Sequence, residues 1–168
     1  MRGTLVSLVL VAASVAACFH VAQPDAARKS RDGAALAELL PVLDELRVTN
    51  WRDQDWCTDF AYRGGHFLRS DDPDNCNPFG DAVAPFSDAA SADFDAVRAA
   101  LRASGVSVRA IYRPAAVPGQ TVFNLIAGDF DRFSYVHEPG FSPPENIENE
   151  WIATPIDRDW YFMWEDWN

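Results

Sequence analysis

The sequence predicts an α+β domain, with helices packed on one face of a largely antiparallel sheet. Two observations predict it. Apolar residues in two segments recur at helical spacing, and after Gly105 the period changes to two. Gly, Pro, Asn and Asp then punctuate each alternating run, as strand boundaries require. No internal repeat or long low-complexity segment interrupts the pattern.

The elements follow in order. Residues 19–31, FHVAQPDAARKSR, are polar and without period, and read as a linker. Asp32 is placed to cap a first helix whose apolar face is Leu36, Leu39, Leu40, Leu43 and Leu46. Pro41 inside that stretch predicts a kink or a break. Trp51 to Arg69 reads as extended, with Gly64-Gly65 as a hairpin turn. Ser70 to Pro85 is rich in turn residues.

Ser91–Ser104 is the clearest helix. Ser91 is its expected cap, and Phe94, Val97 and Leu101 form its apolar stripe. Asp93 and Asp95 lie toward its positive end, Arg98 and Arg102 toward its negative end, and Gly105 stops it. Val106–Arg113, Thr121–Ala127 and Arg132–Glu138 are strand candidates, followed by Trp151–Ile156 and Trp160–Trp164. In the last of these Trp160, Phe162 and Trp164 share one face and Tyr161 and Met163 the other. Both faces are apolar, which suits an inner strand.

The leader sets the compartment. Residues 1–18 read MRGTLVSLVLVAASVAAC, with Arg2 the only charge and an apolar run from Leu5 to Ala17 broken by Ser7 and Ser14. A membrane-spanning helix needs about 20 apolar residues. This run has the length of a secretory signal peptide core. Its end, Val15-Ala16-Ala17-Cys18, resembles the lipobox of bacterial lipoproteins. The resemblance covers the leader alone. It implies cleavage before Cys18, acylation of the Cys18 thiol, and attachment to a bacterial membrane on its periplasmic or outer side. A cut by the general signal peptidase, leaving Cys18 a free thiol, is the alternative. The resulting organisation is 1–17 signal peptide, 18–31 lipidated cysteine and tether, and 32–168 a single domain. With Cys18 acylated, Cys57 and Cys76 remain as a pair in an oxidising compartment and are expected to form a disulfide.

Charge narrows the partners. Of the 168 residues, 25 are acidic and 14 basic, a net charge of −11. Loss of the leader, with its single arginine and no acid, leaves 151 residues at −12. Phosphate neutralisation needs clustered Lys and Arg, so nucleic acid is excluded as a partner. A cationic protein is the electrostatic match, and the acyl anchor holds the chain to the membrane. The 11 Phe, 6 Trp and 4 Tyr supply a core despite the charge.

Candidate chemistry is sparse. His20 is in the tether; His66 and His137 are the remaining imidazoles, with no Ser or Cys nucleophile in a recognisable motif. Asp71, Asp72, Asp74 and Asn75 are rich in oxygen, but the calcium-loop pattern fails at Asn77 and Val83, and a solvated turn is the better reading. Asp129 and Asp131 flank Phe130 as turn formers. No cofactor or metal motif is present. Trp151, Trp160, Trp164 and Trp167 are either core or a binding surface. The expected function is a non-enzymatic binding or accessory module anchored in the cell envelope. An immunity-type inhibitor of a secreted toxin, and an envelope glycan-acting enzyme using carboxylates or His66, are the alternatives.

Overall fold

A computed structural model describes residues 23–78, 80–125, 131–142, 146–147 and 150–166. The leader, Cys18, His20, Asp129, Phe130 and Trp167 lie outside them. The chain folds into an eight-stranded, antiparallel sheet with helices, an α+β architecture.

Helix α1 spans Ala26–Ala37, and Asp25 caps it by accepting the Arg28 amide at 2.8 Å. This corrects Asp32 as the cap, and it places the helix start within the stretch read as tether. The reason lies in what α1 buries. Its inward residues include Lys29, Asp32 and Gly33 ahead of Leu36, so its first turns carry no apolar signal. Lys29 lays its ammonium 4.4 Å from the Phe162 ring centroid, and Gly33 lies beside Ile156 and Trp160. Pro41 does break the helix: α2, Leu40–Leu46, begins with the proline in its first turn, where the missing N–H costs nothing.

The strands are β1 Val48–Gln54, β2 Cys57–Tyr62, β3 Gly65–Ser70, β4 Val108–Tyr112, β5 Thr121–Leu125, β6 Asp131–His137, β7 Trp151–Pro155 and β8 Trp160–Asp166. Between β3 and β4 lie the single turn α3, Pro73–Cys76, and the helix α4, Asp88–Ser104. Sheet order is β3-β2-β1-β4-β5-β6-β8-β7. The β2–β3 turn is Arg63-Gly64, both at positive φ, so Gly65 belongs to β3 rather than to the turn. A further two-residue turn, Asp55-Trp56, divides the segment read as one extended run. Helix α4 starts one turn earlier than its predicted boundary. Ser87, not Ser91, caps it, accepting the Ala90 amide at 3.1 Å, and Ala90 extends the Phe94, Val97, Leu101 stripe. Gly105 ends it at φ 71.

Strand register builds the core. Phe67, Phe60, Trp51, Ile111, Phe123, Tyr135 and Phe162 are successive partners across seven strands. Alternation puts them all on one face. Helices α1, α2 and α4 close over this row with Leu36, Leu39, Leu43, Phe94, Val97 and Leu101. On the opposite face Val136, Ala153 and Tyr161 form a smaller cluster, with Phe141 stacked on Tyr161 at 3.8 Å.

Both sheet edges are blunted. On β7 the outward amides of Trp151 and Ala153 donate to the Ile147 carbonyl and to Asn146 Oδ1. The next outward position is Pro155, which has no N–H. On β3, Ala84 pairs with the edge through His66 O and Leu68 N. Strand addition by another chain is thereby disfavoured.

Cys57 and Cys76 are disulfide-bonded, with their Cα atoms 5.5 Å apart. The bond leaves β2 on the face opposite the three longer helices and ties α3 there. In the chain-entropy account, closing this loop contributes about 3 kcal/mol. No helix among the described residues is long and apolar enough to cross a membrane.

Candidate functional site

The open side of β1–β3 carries a polar network that alternation creates directly. Trp51, Phe60 and Phe67 face the helices, so Asn50, Asp59 and His66 face away. Asp59 is 5% exposed, yet its carboxylate is satisfied on both oxygens. Asn50 Nδ2 donates to Oδ2 at 2.7 Å, and His66 Nε2 lies 2.7 Å from Oδ1. Removing either partner would leave a buried acceptor short of a bond, which is costly. The arrangement orients an imidazole as a general base is oriented. Among the described residues, no hydroxyl or thiol side chain is hydrogen-bonded to His66.

Two further carboxylates hold buried phenols. Tyr135 donates to Asp32 Oδ2 at 3.1 Å, and Tyr161 to Glu138 Oε2 at 3.2 Å. Burial, then the neighbouring carboxylate, pushes both phenols well above their ordinary range. The folded chain therefore keeps these protons at pH values where the unfolded chain, titrating near pH 10, has lost them. Stability is full below about pH 10 and falls as pH rises further, by up to about 1.4 kcal/mol per pH unit for each phenol. Lys29, whose ammonium is lowered by burial, acts with the opposite sign and only below its ordinary range. Urea unfolding between about pH 10.5 and 12 should show the decline, and Tyr135→Phe should reduce its slope. A constant wild-type midpoint across that window would contradict the assignment.

The three C-terminal tryptophans among the described residues do not form one surface. Trp160 is 6% exposed and stacks on Phe123 in the main core, and Trp164 packs against that core. Trp151 lies on the other face, against the Tyr161 cluster. Trp167 is outside the described residues. Trp160 is therefore core rather than binding surface, because β8 is an inner strand with both faces covered. His137 packs on Trp160, with ring centroids 5.1 Å apart. In the oxygen-rich turn, Asp72 accepts from the Asn75 amide at 3.4 Å and from Asn75 Nδ2 at 2.6 Å, capping α3. Among the described residues no group of three or more His, Cys, Asp or Glu gathers to hold a metal.

An exposed aromatic that sequence reading missed is Trp56; Tyr112, at 51% exposure, is another. Trp56 sits in the Asp55-Trp56 turn at 43% exposure. Its carbonyl accepts the Ser70 hydroxyl at 2.6 Å, and the same hydroxyl accepts the Asp72 amide at 2.9 Å. The adjacent Cys57 is bonded to α3, so the turn and the acidic loop are held as one corner. Asn77 closes the far side of that loop, bonding both backbone groups of Asp81. The available signal was a Trp between two alternating runs, where a two-residue turn leaves a side chain in solvent.

In comparisons with known proteins, the chain matches no family model, no curated protein and no solved structure.

Proposed function

We propose that the chain is a lipid-anchored binding module of the bacterial cell envelope, held by Cys18 and docking another protein at the Trp56 corner. The observation that carries this reading is an exposed tryptophan on a rigid support. Tryptophan supplies large contact area at low entropy cost and dominates binding energy where it is found at interfaces. A corner fixed by a disulfide and two hydrogen bonds loses little further freedom on docking. With both sheet edges blunted, side chains rather than strand addition supply the contact. Inhibition of a secreted toxin is one form such docking takes.

A second reading, an enzyme using His66 as general base, is favoured by the 2.7 Å contact to the buried Asp59. The two readings place the working surface on different residues.

The test is photo-crosslinking in cells producing the full precursor. A photo-reactive phenylalanine analogue at Trp56 should give a discrete higher-mass adduct on irradiation. The same probe at Ala99, on the exposed side of α4, should not. No adduct at position 56, or identical adducts at both positions, would overturn the docking reading.

A further inference from the structure

We propose that the Trp56 corner recognises a cationic protein segment, with an arginine guanidinium stacked on the Trp56 indole. The inference rests on the docking reading above and adds the chemistry of the partner.

Three observations carry it. First, Trp56 has no ring or cation partner among the described residues. Four other aromatic faces carry a cation of the chain itself: Arg63 lies over Tyr62, Arg69 over Phe86, Arg98 over Phe94 and Lys29 over Phe162. The indole of Trp56 is the best cation acceptor of the ring types and is left facing solvent.

Second, the carboxylates of the Asp55-Trp56 turn and of the loop tied to it are unpaired among the described residues. Asp32, Asp44, Asp53, Asp93, Asp95 and Asp159 each have an arginine partner. Asp55, Asp71, Asp74 and Asp81 are exposed and make no ion pair among the described residues. Asp72 is committed to its cap through Asn75. The cations within reach are turned to other work. Arg52 Nη1 is 3.5 Å from the Cys76 carbonyl and 3.6 Å from Cys57 Sγ, and Arg69 stacks on Phe86. The corner therefore presents its negative charge outward without internal neutralisation.

Third, the field of the whole chain has the same sign, at a net charge of −11. A basic partner is steered toward this corner, and an acidic one is repelled. Arginine suits the site better than lysine, because its planar guanidinium both stacks on a ring and forks to carboxylates.

The test uses the mature protein extracted in detergent, with short fluorescent peptides that alternate glycine with arginine, lysine, glutamine or glutamate. Anisotropy should report binding of the arginine peptide, binding about threefold weaker for the lysine peptide, and none for the other two. Trp56→Ala should weaken arginine-peptide binding about tenfold. Asp71→Asn, Asp74→Asn and Asp81→Asn together should weaken it and flatten its dependence on salt between about 50 and 300 mM. No binding of the arginine peptide, equal binding of the glutamine peptide, or an unchanged affinity in Trp56→Ala would overturn the proposal. Its failure is separable from failure of the docking reading. A crosslink at position 56 that survives high salt and excess arginine peptide overturns the cationic partner and leaves docking standing. Absence of any crosslink removes both.

Discussion

Deletion of Asp159–Asn168 is expected to leave a chain without a cooperative unfolding transition. The deletion removes β8, which pairs with β6 along seven residues and with β7 along five. Loss of β8 leaves β7 without a ladder and β6 with one open side, so buried amides lose partners as well as cover. Three buried rings go with it. Trp160 stacks on Phe123, Phe162 packs against Phe133 and Tyr135, and Tyr161 stacks on Phe141. Truncating a single core aromatic to Ala costs about 3–5 kcal/mol. A domain has roughly 5–15 kcal/mol in total. The disulfide cannot compensate, because it closes a loop at the other end of the sheet, in β2 and α3. Thermal unfolding and limited proteolysis of the truncated chain measure the outcome. A cooperative melt near the full-length temperature would show that β8 is dispensable, against the packing described here.

Trp51→Ala and Trp56→Ala should behave as opposites, although the residues are near neighbours in sequence. Trp51 is 2% exposed, stacks on Phe94 at 5.2 Å, and sits in the middle of the core row. Its truncation is expected to cost about 3–5 kcal/mol. With a urea slope of about 1–3 kcal/mol per molar, the midpoint should fall by at least roughly 1 M. Trp56 projects from a turn, and its hydrogen bond with Ser70 is made by its carbonyl oxygen, which alanine retains. Its truncation should stay within about 0.5 kcal/mol of wild type, as for surface positions generally. Paired urea titrations check both. A large loss of stability in Trp56→Ala would mean that the ring is a packing element, and the docking account would lose its anchor.

What the sequence made legible was whatever repeats with a fixed period. The α4 stripe of Phe94, Val97 and Leu101, its Gly105 stop, and the two apolar faces of β8 were all readable in advance, because one short window contains the whole signal. The pairing of Cys57 with Cys76 was expected from the compartment and the Cys18 acylation that the leader's resemblance implies, and the disulfide is present. The start of α1 was hidden, since the residues it buries are a lysine stem over Phe162, an aspartate bonded to Tyr135 and a glycine against Trp160. Such contacts are made by polar and small residues, and no hydrophobic pattern announces them. The cap of α4 was misplaced because Ser87 and Ser91 both suit the role; in the fold it is the Ser87 side chain that accepts the Ala90 amide.

The site was less legible than the fold for a physical reason. Asn50, Asp59 and His66 lie on three strands, and only the register Asn50↔Ala61↔His66 brings them onto one patch. A single strand gives each residue a face but no neighbour. Trp56 was obscured because Trp51 to Arg69 reads as one extended run until Asp55-Trp56 is recognised as a turn. The C-terminal tryptophans drew attention by number. The sheet then divides them, with Trp160 in the core and Trp151 on the opposite face.

The claim on which the proposed role depends is that the folded domain is held in the envelope by lipid on Cys18. The measurement that tests it most directly is the intact mass of the protein extracted in detergent from the membrane fraction. The account predicts a chain beginning at Cys18, carrying acyl groups on that residue, with no free thiol at Cys57 or Cys76. A chain that retains its leader, or one that begins at Cys18 with an unmodified thiol, would contradict it.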